Sequence, residues 1–305
     1  MPITISFGGY QPNASVHNRA AESLGQALRT SLGDAVQFEL DGNIIASGHQ
    51  AVDLLAMVES GAMTMCYFSA SYLAARVPEF ALLDLPFRIT SRDQAYAILE
   101  GACGQLLVDK LLANTGFRIL GWWDNGFRHL TNAVRPIYTP ADCLGLRIRT
   151  LLSDVHQRVF TLLGFNPVAL DVKDLQESAR ISVVDAQENP LTNTYNFGIH
   201  RYHPYVTLSG HFFGAAALLC HQASYAAWPE EVRQAVDTSA CEATRMQRRF
   251  AVAEDDDILR KVRLDGNDIV QLTDAERALF VAAVAPMIEE QHRRFGKELC
   301  GPLET

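Results

Sequence analysis

The sequence lacks the short motifs that mark several large classes of enzyme. It contains no GxGxxG, GxxxxGK[ST], GxSxG or HExxH, and so offers no phosphate-binding loop, nucleophile elbow or zinc-protease helix. It also lacks any apolar run approaching the ~18 residues that a membrane-spanning helix needs. We therefore expect no cofactor and no direct insertion into a membrane.

Positive charge is scarce as well. Asp and Glu number 35 against 26 for Lys and Arg, which leaves a net charge of −9. Nucleic acid is disfavoured as a partner, because phosphate binding needs a basic face. With 48% hydrophobic and 20% charged residues, the 305-residue chain has the composition of a globular protein with room for two domains or lobes.

Cysteine pairs at metal-binding spacing are missing too. The six cysteines are Cys66, Cys103, Cys143, Cys220, Cys241 and Cys300. None are spaced as CxxC, which argues against zinc and thioredoxin-like sites. Cys66 and Cys220 lie in apolar segments, so buried thiols are favoured over the alternative, a disulfide. His200 and His203 form an HxxH pair with no carboxylate or cysteine close by, and we expect surface histidines and no metal site.

Strand and helix patterns alternate along the first part of the chain. Residues 3–7 and 35–40 alternate apolar and polar side chains, and residues 62–68 form an apolar run, so all three segments are predicted strands. Between them, helices are predicted from Ser15 to Gly33 and from Ser47 to Gly61. This β-α-β-α-β order predicts a mostly parallel sheet with helices on its faces.

Further elements are predicted from their boundaries. A capping box at Ser91–Gln94 begins a helix that ends near Gly116, and residues 117–123 and 181–186 have the composition of strands. Residues 230–264 contain neither Pro nor Gly, which predicts a helix of about 35 residues, far above the usual three or four turns.

Residues 126–150 gather positive charge in an otherwise acidic chain. The segment contains four arginines (Arg128, Arg135, Arg147 and Arg149) and one carboxylate, Asp142, which is predicted to cap a short turn. In the predicted strand LRIRT, Arg147 and Arg149 point to the same face. Two such arginines require a carboxylate partner, a water-filled cleft or an anionic ligand, since guanidinium grips a carboxylate through two parallel hydrogen bonds. Ordinary ion pairs stay an alternative.

The segments GWWDNGFRHLTNAVRPIYTPADCLGLRIRT and VVDAQENPLTN resemble the DctP-like substrate-binding proteins of tripartite ATP-independent periplasmic (TRAP) transporters. Three further segments, VESGAMTM, VPEFALLDLPF and GHFFGAAALLCHQASYAAWPEEVRQAV, have counterparts in that family in the same order. The chain departs from the family pattern V-D-G-Q-E-N-P at Ala186, where Gly is usual.

The resemblance implies an α/β fold of the two-lobed periplasmic binding protein (Venus-flytrap) type, with a long helix that spans both lobes. It implies that lobe I comprises residues 1–124 and 208–250, and that lobe II comprises residues 125–207 and 251–305. The ligand cleft is expected between the lobes. Closure of the lobes is expected to bury the ligand.

The same resemblance implies the site residues. Arg149, in the family's G-x-x-x-R strand, is expected to pair with the ligand carboxylate, Arg128 to lie in the cleft, and Asn189 to reach the ligand. The other expected ligand contacts are Tyr10, Ser69, Val172, Phe213 and Trp123. Because the positions of Tyr10 and Ser69 carry polar or acidic groups in sugar-acid binders, a compact acid with an apolar or aromatic body is expected.

The resemblance implies a periplasmic solute-binding protein that delivers an organic acid to TRAP permease subunits, without catalysis. The chain begins MPITISFGGY with no leader before it, so an export signal is expected to have been removed. Two alternatives stay open. One is a ligand-sensing module for a membrane signalling partner. The other is an enzyme acting on an organic acid, with a histidine or Glu188, in the predicted polar turn QENP, as its base.

Overall fold

The computed structural model describes residues 2–296, which form nine strands and ten α-helices. The strands are β1 (Ile3–Gly8), β2 (Val36–Asp41), β3 (Met65–Ser69), β4 (Phe117–Asn132), β5 (Arg147–Thr150), β6 (Asn166–Ala169), β7 (Ala186–Pro190), β8 (Tyr205–His221) and β9 (Asp268–Val270). The helices are α1 (Val16–Leu32), α2 (Asp53–Glu59), α3 (Arg92–Glu100), α4 (Ala102–Asn114), α5 (Asp154–Leu162), α6 (Val172–Arg180), α7 (Leu191–Asn196), α8 (Gln222–Ala227), α9 (Glu230–Leu264) and α10 (Asp274–Phe295). Short 3-10 turns cover Gly33–Ala35, Ala70–Ala75, Pro78–Asp84, Pro140–Cys143 and Ile199–Arg201.

The chain divides into two compact units. Of the described residues, unit 1 holds 2–70, 106–124 and 215–254, and unit 2 holds 71–105, 125–214 and 255–296. Residues 71–105, which were predicted in lobe I, thus belong to unit 2. The lobe boundaries and the cleft stay predictions.

Unit 1 is built on a sheet whose central strand is β1. Strands β2 and β3 flank β1 and run parallel to it, and residues 216–220 of β8 pair with β3 in the antiparallel sense. The alternation of apolar side chains in β1 arises because successive residues point to opposite faces, and it buries Ile5 and Phe7 completely. Phe7 and Tyr67 both stack on Trp123, at 6.4 and 5.8 Å between ring centroids. The predicted parallel order of the first three strands is confirmed.

Unit 2 is built on a second set of strands. Strand β5 runs parallel to both of its neighbours, β6 and β7, and β7 pairs in the antiparallel sense with residues 128–132 of β4. The short strand β9 pairs with the start of β8. Helices α5 and α10 cover this sheet, and their apolar sides meet strand residues in a core that includes Ile148, Phe160 and Phe280.

Helix boundaries agree with the prediction where the sequence itself contains both an N-cap residue and a terminating glycine. The side chain of Ser15 accepts a hydrogen bond from the backbone N–H of Asn18, and α1 ends at Gly33, whose φ of +54° suits glycine. Helix α9 covers 35 residues from Glu230, so the long predicted helix is confirmed.

Two predicted helices are wrong in their bounds. Helix α2 begins at Asp53 rather than near Ser47, because residues 44–52 form successive turns and Gly48 takes a φ of +94°. The helix predicted from Ser91 to Gly116 is two helices, since Gly101 adopts an extended conformation that ends α3.

The segment QENP is a buried strand and not a polar turn. Strand β7 spans Ala186–Pro190 with all five residues buried between β4 and β5, whereas most of the predicted strand 181–186 lies outside any strand. An apolar pattern marks most buried strands, and this one carries polar side chains instead. Those side chains are satisfied by hydrogen bonds to β4 and α7 and by one bond within β7.

Candidate functional site

The side chain of Arg149 is completely buried in unit 2. The residue lies in β5, where it pairs with Val168 of β6 and Gln187 of β7. Its Nε donates a hydrogen bond of 2.9 Å to the backbone oxygen of Leu170. Both terminal nitrogens, Nη1 and Nη2, are buried and have no hydrogen-bond partner among residues 2–296.

Such an arrangement is costly unless an anion completes it. Taking a charged group out of water costs several kcal/mol, which only pairing and hydrogen bonding offset. Within the described part of the chain, Arg149 has no carboxylate within ion-pair distance. Its single bond to Leu170 holds the guanidinium in place and leaves both terminal nitrogens for another group.

Two other arginines of the segment 126–150, Arg135 and Arg147, are bound by groups of the protein itself. Arg147 is 46% exposed and forms a bidentate pair with Asp185, with Nη2 and Nε 2.7 and 2.9 Å from the two carboxylate oxygens. Arg135 donates to the backbone oxygens of Asp142 and Leu144. Of the possibilities left open for these two arginines, Arg147 therefore has an ordinary ion pair with Asp185, and Arg149 has no such pair among the described residues.

Arg128 is also buried, but unlike Arg149 it has an internal partner. Its Nε and Nη2 donate to the two carboxylate oxygens of Glu188, with Nη2 2.9 Å from Oε1. The same Nη2 lies 3.1 Å from Oδ1 of Asn189. Burial alone would raise the pKa of Glu188, but Arg128, His156 and His211 together outweigh burial and hold this pKa well below its usual value.

Asn189 belongs to a chain of buried amides. Its Oδ1 accepts from Arg128, and its Nδ2 donates to Oε1 of Gln187 at 2.6 Å. Gln187 in turn donates to the hydroxyl oxygens of Thr131 and Thr194. The polar residues of β7 are thus satisfied within unit 2, and each side chain has a defined orientation.

The structure brings the three leading candidates together on one sheet. Arg149 lies in β5, Asn189 in β7 and Arg128 in β4, and β7 is hydrogen-bonded to both of the other strands. Side chains on adjacent strands lie close enough to act on one ligand. Only the folded sheet brings these residues onto neighbouring strands, because they are spread over 61 positions of the chain.

Tyr72 was not predicted and lies near the same charges. Burial raises the pKa of its phenol, the charges of Arg149 and Arg128 act in the opposite direction, and Asp171 adds to the increase. Tyr72 also lines a cavity of about 200 Å³ together with Ser71 and Leu152. No motif marks this position, because Tyr72 lies in the 3-10 turn after β3 and its neighbours come from distant segments.

The comparison with protein families assigns the chain. A model described as bacterial extracellular solute-binding protein, family 7 (DctP), matches residues 7–294. The chain belongs to this family. The family consists of substrate-binding proteins, and the resemblance on which the sequence prediction rested is confirmed.

Individual relatives of this DctP-family protein agree with the assignment. It is 25% identical to the C4-dicarboxylate-binding periplasmic protein DctP of Rhodobacter capsulatus, over 97% of this chain and 89% of that protein. It is also 25% identical to the 2,3-diketo-L-gulonate-binding periplasmic protein YiaO of Escherichia coli, over 94% of this chain and 86% of the relative.

Solved structures confirm the predicted fold class. The sugar acid binding protein of Advenella mimigardefordensis, in complex with galactonate, superposes with a TM-score of 0.94 at 26% identity, covering 99% of this chain and 97% of that one. A TRAP periplasmic solute binding protein of Sulfurospirillum deleyianum, with bound succinate, gives 0.93 at 26% identity, with coverage of 100% and 99%.

The other expected ligand contacts of the DctP-family protein pack within their own units. In unit 2, Val172 packs against a small cluster around Leu175, and Phe213 meets Tyr96 and Phe127 edge-on. In unit 1, Trp123 lies in the core and donates to Thr244.

Tyr10 and Ser69 also belong to unit 1. The ring of Tyr10 contacts those of Tyr67 and Phe68, and Ser69 ends β3. Ligand contact stays a prediction for all five residues, as it does for Arg149, Arg128 and Asn189.

The histidines and cysteines offer little chemistry. In residues 2–296, no group of three or more His, Cys, Asp or Glu is arranged to hold a metal ion. The HxxH histidines are buried rather than on the surface: His200 pairs with Asp265, and His203 contacts Thr131.

Cys66, Cys103, Cys143 and Cys220 are buried free thiols, and Cys241 is an exposed one. Cys300 lies outside the described residues. Among residues 2–296, none of the helices has the length and hydropathy that a membrane span requires.

The buried His156 bridges the carboxylates of Asp84 and Glu188. His156 lies 3.4 Å from Asp84 and 3.4 Å from Glu188, and His211 lies 3.3 Å from Glu188. The His156 contacts are close ion pairs rather than aligned hydrogen bonds. Burial lowers the pKa of His211, whereas at His156 burial is outweighed by Asp84 and Glu188 and the pKa is raised.

The raised pKa predicts how stability depends on pH. A histidine whose folded pKa lies above its unfolded value of 6.5 contributes stability that is fully present below pH 6.5 and is lost as pH rises through the folded pKa. Replacing His156 by Gln should therefore cost about 3 kcal/mol or more below pH 6.5, and progressively less at higher pH. Chemical denaturation at pH 6 and pH 9 measures the difference. His49→Gln, at an exposed site, is the control; an equal loss at both pH values for His156→Gln would contradict the prediction.

Proposed function

We propose that this protein is the periplasmic solute-binding component of a TRAP transporter. It binds a small organic acid by its carboxylate and passes the acid to the permease subunits in the membrane. The observation that carries the proposal is the buried guanidinium of Arg149, whose Nη1 and Nη2 have no partner among the described residues.

The chemistry of Arg149 favours a carboxylate over a neutral ligand. Two parallel N–H groups match the two oxygens of a carboxylate, and charge-assisted hydrogen bonds are about twice as strong as neutral ones. A bound anion supplies the negative charge that no described carboxylate of the protein places beside Arg149. Arg128, by contrast, is neutralised by Glu188, so we assign it a secondary contact through its remaining donors, beside Asn189.

The relatives support the same class of ligand. The Rhodobacter capsulatus relative is named for C4-dicarboxylates, and the two solved relatives contain galactonate and succinate. These ligands differ in length and hydroxylation and share a carboxylate. We assign this protein a small organic acid, with Val172, Phe213, Tyr10, Ser69 and Trp123 as candidate contacts to the rest of the molecule.

The surroundings of Glu188 favour binding without catalysis. Glu188, the candidate base of the enzyme alternative, is fully buried, paired with Arg128 and held at a pKa well below its usual value. A carboxylate stabilised so strongly in its charged form is a poor base near neutral pH. Export to the periplasm is proposed because the relatives are named as periplasmic proteins.

Arg149→Ala tests the proposal directly. A thermal-shift screen of carboxylic acids first identifies a ligand, since binding to the native state raises the melting temperature. By calorimetry, Arg149→Ala should then lose at least about 2–3 kcal/mol of binding free energy, because the ligand carboxylate is left desolvated and unpaired. Arg149→Lys should also bind poorly, as an ammonium lacks the planar fork.

Arg147→Ala is the matched control, two residues away on the same strand and already paired with Asp185. It should bind like the wild type. Unchanged affinity in a folded Arg149→Ala protein would overturn the proposal. Mass spectrometry of the recovered acid after long incubation separates binding from turnover: an altered mass would support the enzyme alternative.

The same charge predicts a conflict between binding and stability. Without ligand, Arg149→Met removes a buried cation that has no carboxylate partner and replaces it with an apolar side chain. We expect the ligand-free variant to be about 1 kcal/mol or more stable than the wild type, and not to bind acids. Urea denaturation measures this, with Arg147→Met as a control that should show no gain. A lower unfolding free energy for Arg149→Met would contradict the account.

A further inference from the structure

A second arginine of unit 2 lacks a carboxylate partner. Arg277 lies in the first turns of α10, and its Nη1 donates 2.8 Å to the backbone oxygen of Ser209. Its guanidinium carbon lies 5.0 Å from the centre of the Phe87 ring. No carboxylate lies within ion-pair distance of Arg277 in the described part of the chain. Burial lowers the pKa of this half-buried side chain, and only the charge of Asp274 opposes that effect.

Arg277 borders a cavity of about 290 Å³. The other lining residues are Thr90, Phe127 and Gly210. Gly210 has a φ of +52°, and a Cβ there would lie within 4.0 Å of Nη1 of Arg277, Cδ1 of Phe127 and Cε1 of His129. The turn at Gly210 therefore gathers a cation, an aromatic ring and an imidazole around one small space.

Among the residues that line this cavity, Arg277 is the charged one. The backbone N–H of Gly210 donates to Nδ1 of His129 at 3.0 Å, so the neutral imidazole carries its proton on Nε2. Burial, together with the charges of His211, Arg92, Arg277 and Arg128, lowers the pKa of His129 to about 3. Arg92 and Arg128 are paired with Asp255 and Glu188, whereas Arg277 has no such partner among residues 2–296.

We propose that the cavity beside Arg277 binds a small oxyanion, with the guanidinium as its main contact. The site is separate from Arg149, and it uses residues of β4, β8 and α10. The planar fork of arginine suits carboxylate, sulfate and phosphate alike, so we assign the shared oxyanion chemistry. The Phe127 ring forms an apolar wall, and the volume admits an anion of a few heavy atoms.

The experiment uses the Arg149→Ala protein, so that the outcome is independent of the proposed transport function. Titration with sulfate and, separately, with acetate at constant ionic strength should raise the melting temperature in a saturable way. Adding Arg277→Gln should weaken the response about tenfold or more, because the charge-assisted bonds are lost. A stronger response to sulfate indicates a tetrahedral anion, and a stronger response to acetate indicates a carboxylate.

Arg293→Gln is the control, an exposed arginine on the same helix that pairs with Glu289. It should leave the titration unchanged. Crystals soaked in selenate provide a second measurement, with an anomalous peak expected beside Arg277. An Arg277→Gln protein that is folded and responds like its parent, or selenate absent from this cavity, would overturn the proposal.

Discussion

The constraint on which the rest of the structure depends is a buried guanidinium with a single internal hydrogen bond. Arg149 lies in the middle of a sheet, where burying an unpaired charge costs several kcal/mol. A protein that retains such a residue does so at the expense of its own stability. In the proposed function this cost is offset when a ligand anion binds, and the site then discriminates in favour of negatively charged ligands.

The surrounding network has the opposite character, because its charges are compensated internally. Arg128, Glu188, His156 and Asp84 alternate in sign and connect β4, β7, α5 and the turn Pro78–Asp84. With His156 protonated, two cations balance two anions. Such a network fixes the orientation of its side chains, and replacing one member leaves the others without a partner. It holds Asn189 beside Arg128 and leaves Arg149 as the uncompensated charge of the site.

Local features of the sequence predicted the helices better than the site. Helix α1 has a serine cap and a glycine stop, and α9 has a long run without Pro or Gly, so both were predictable. Strand β7 was not, because its polar residues are satisfied by hydrogen bonds to β4 and α7 that only the folded sheet provides.

The arginines show the same limit. The alternation of the strand places Arg147 and Arg149 on one face. Arg147 pairs with Asp185, which lies 38 residues away, so Arg149 is the one of these two arginines without a carboxylate partner. Likewise Glu188 lies 60 residues from Arg128, and Tyr72 lies in a turn without a motif. Which charge is compensated depends on long-range pairing, and a single sequence does not reveal it. The family resemblance pointed to Arg149, and its buried, unpaired guanidinium is consistent with the proposed role.

A crystal structure of the protein with its bound acid tests the central claim most directly. The account predicts a ligand carboxylate with its two oxygens about 3 Å from Nη1 and Nη2 of Arg149, and an unchanged bond from Nε to Leu170. A carboxylate bound elsewhere, with the Arg149 guanidinium still unpaired or turned toward an internal acidic residue, would contradict it.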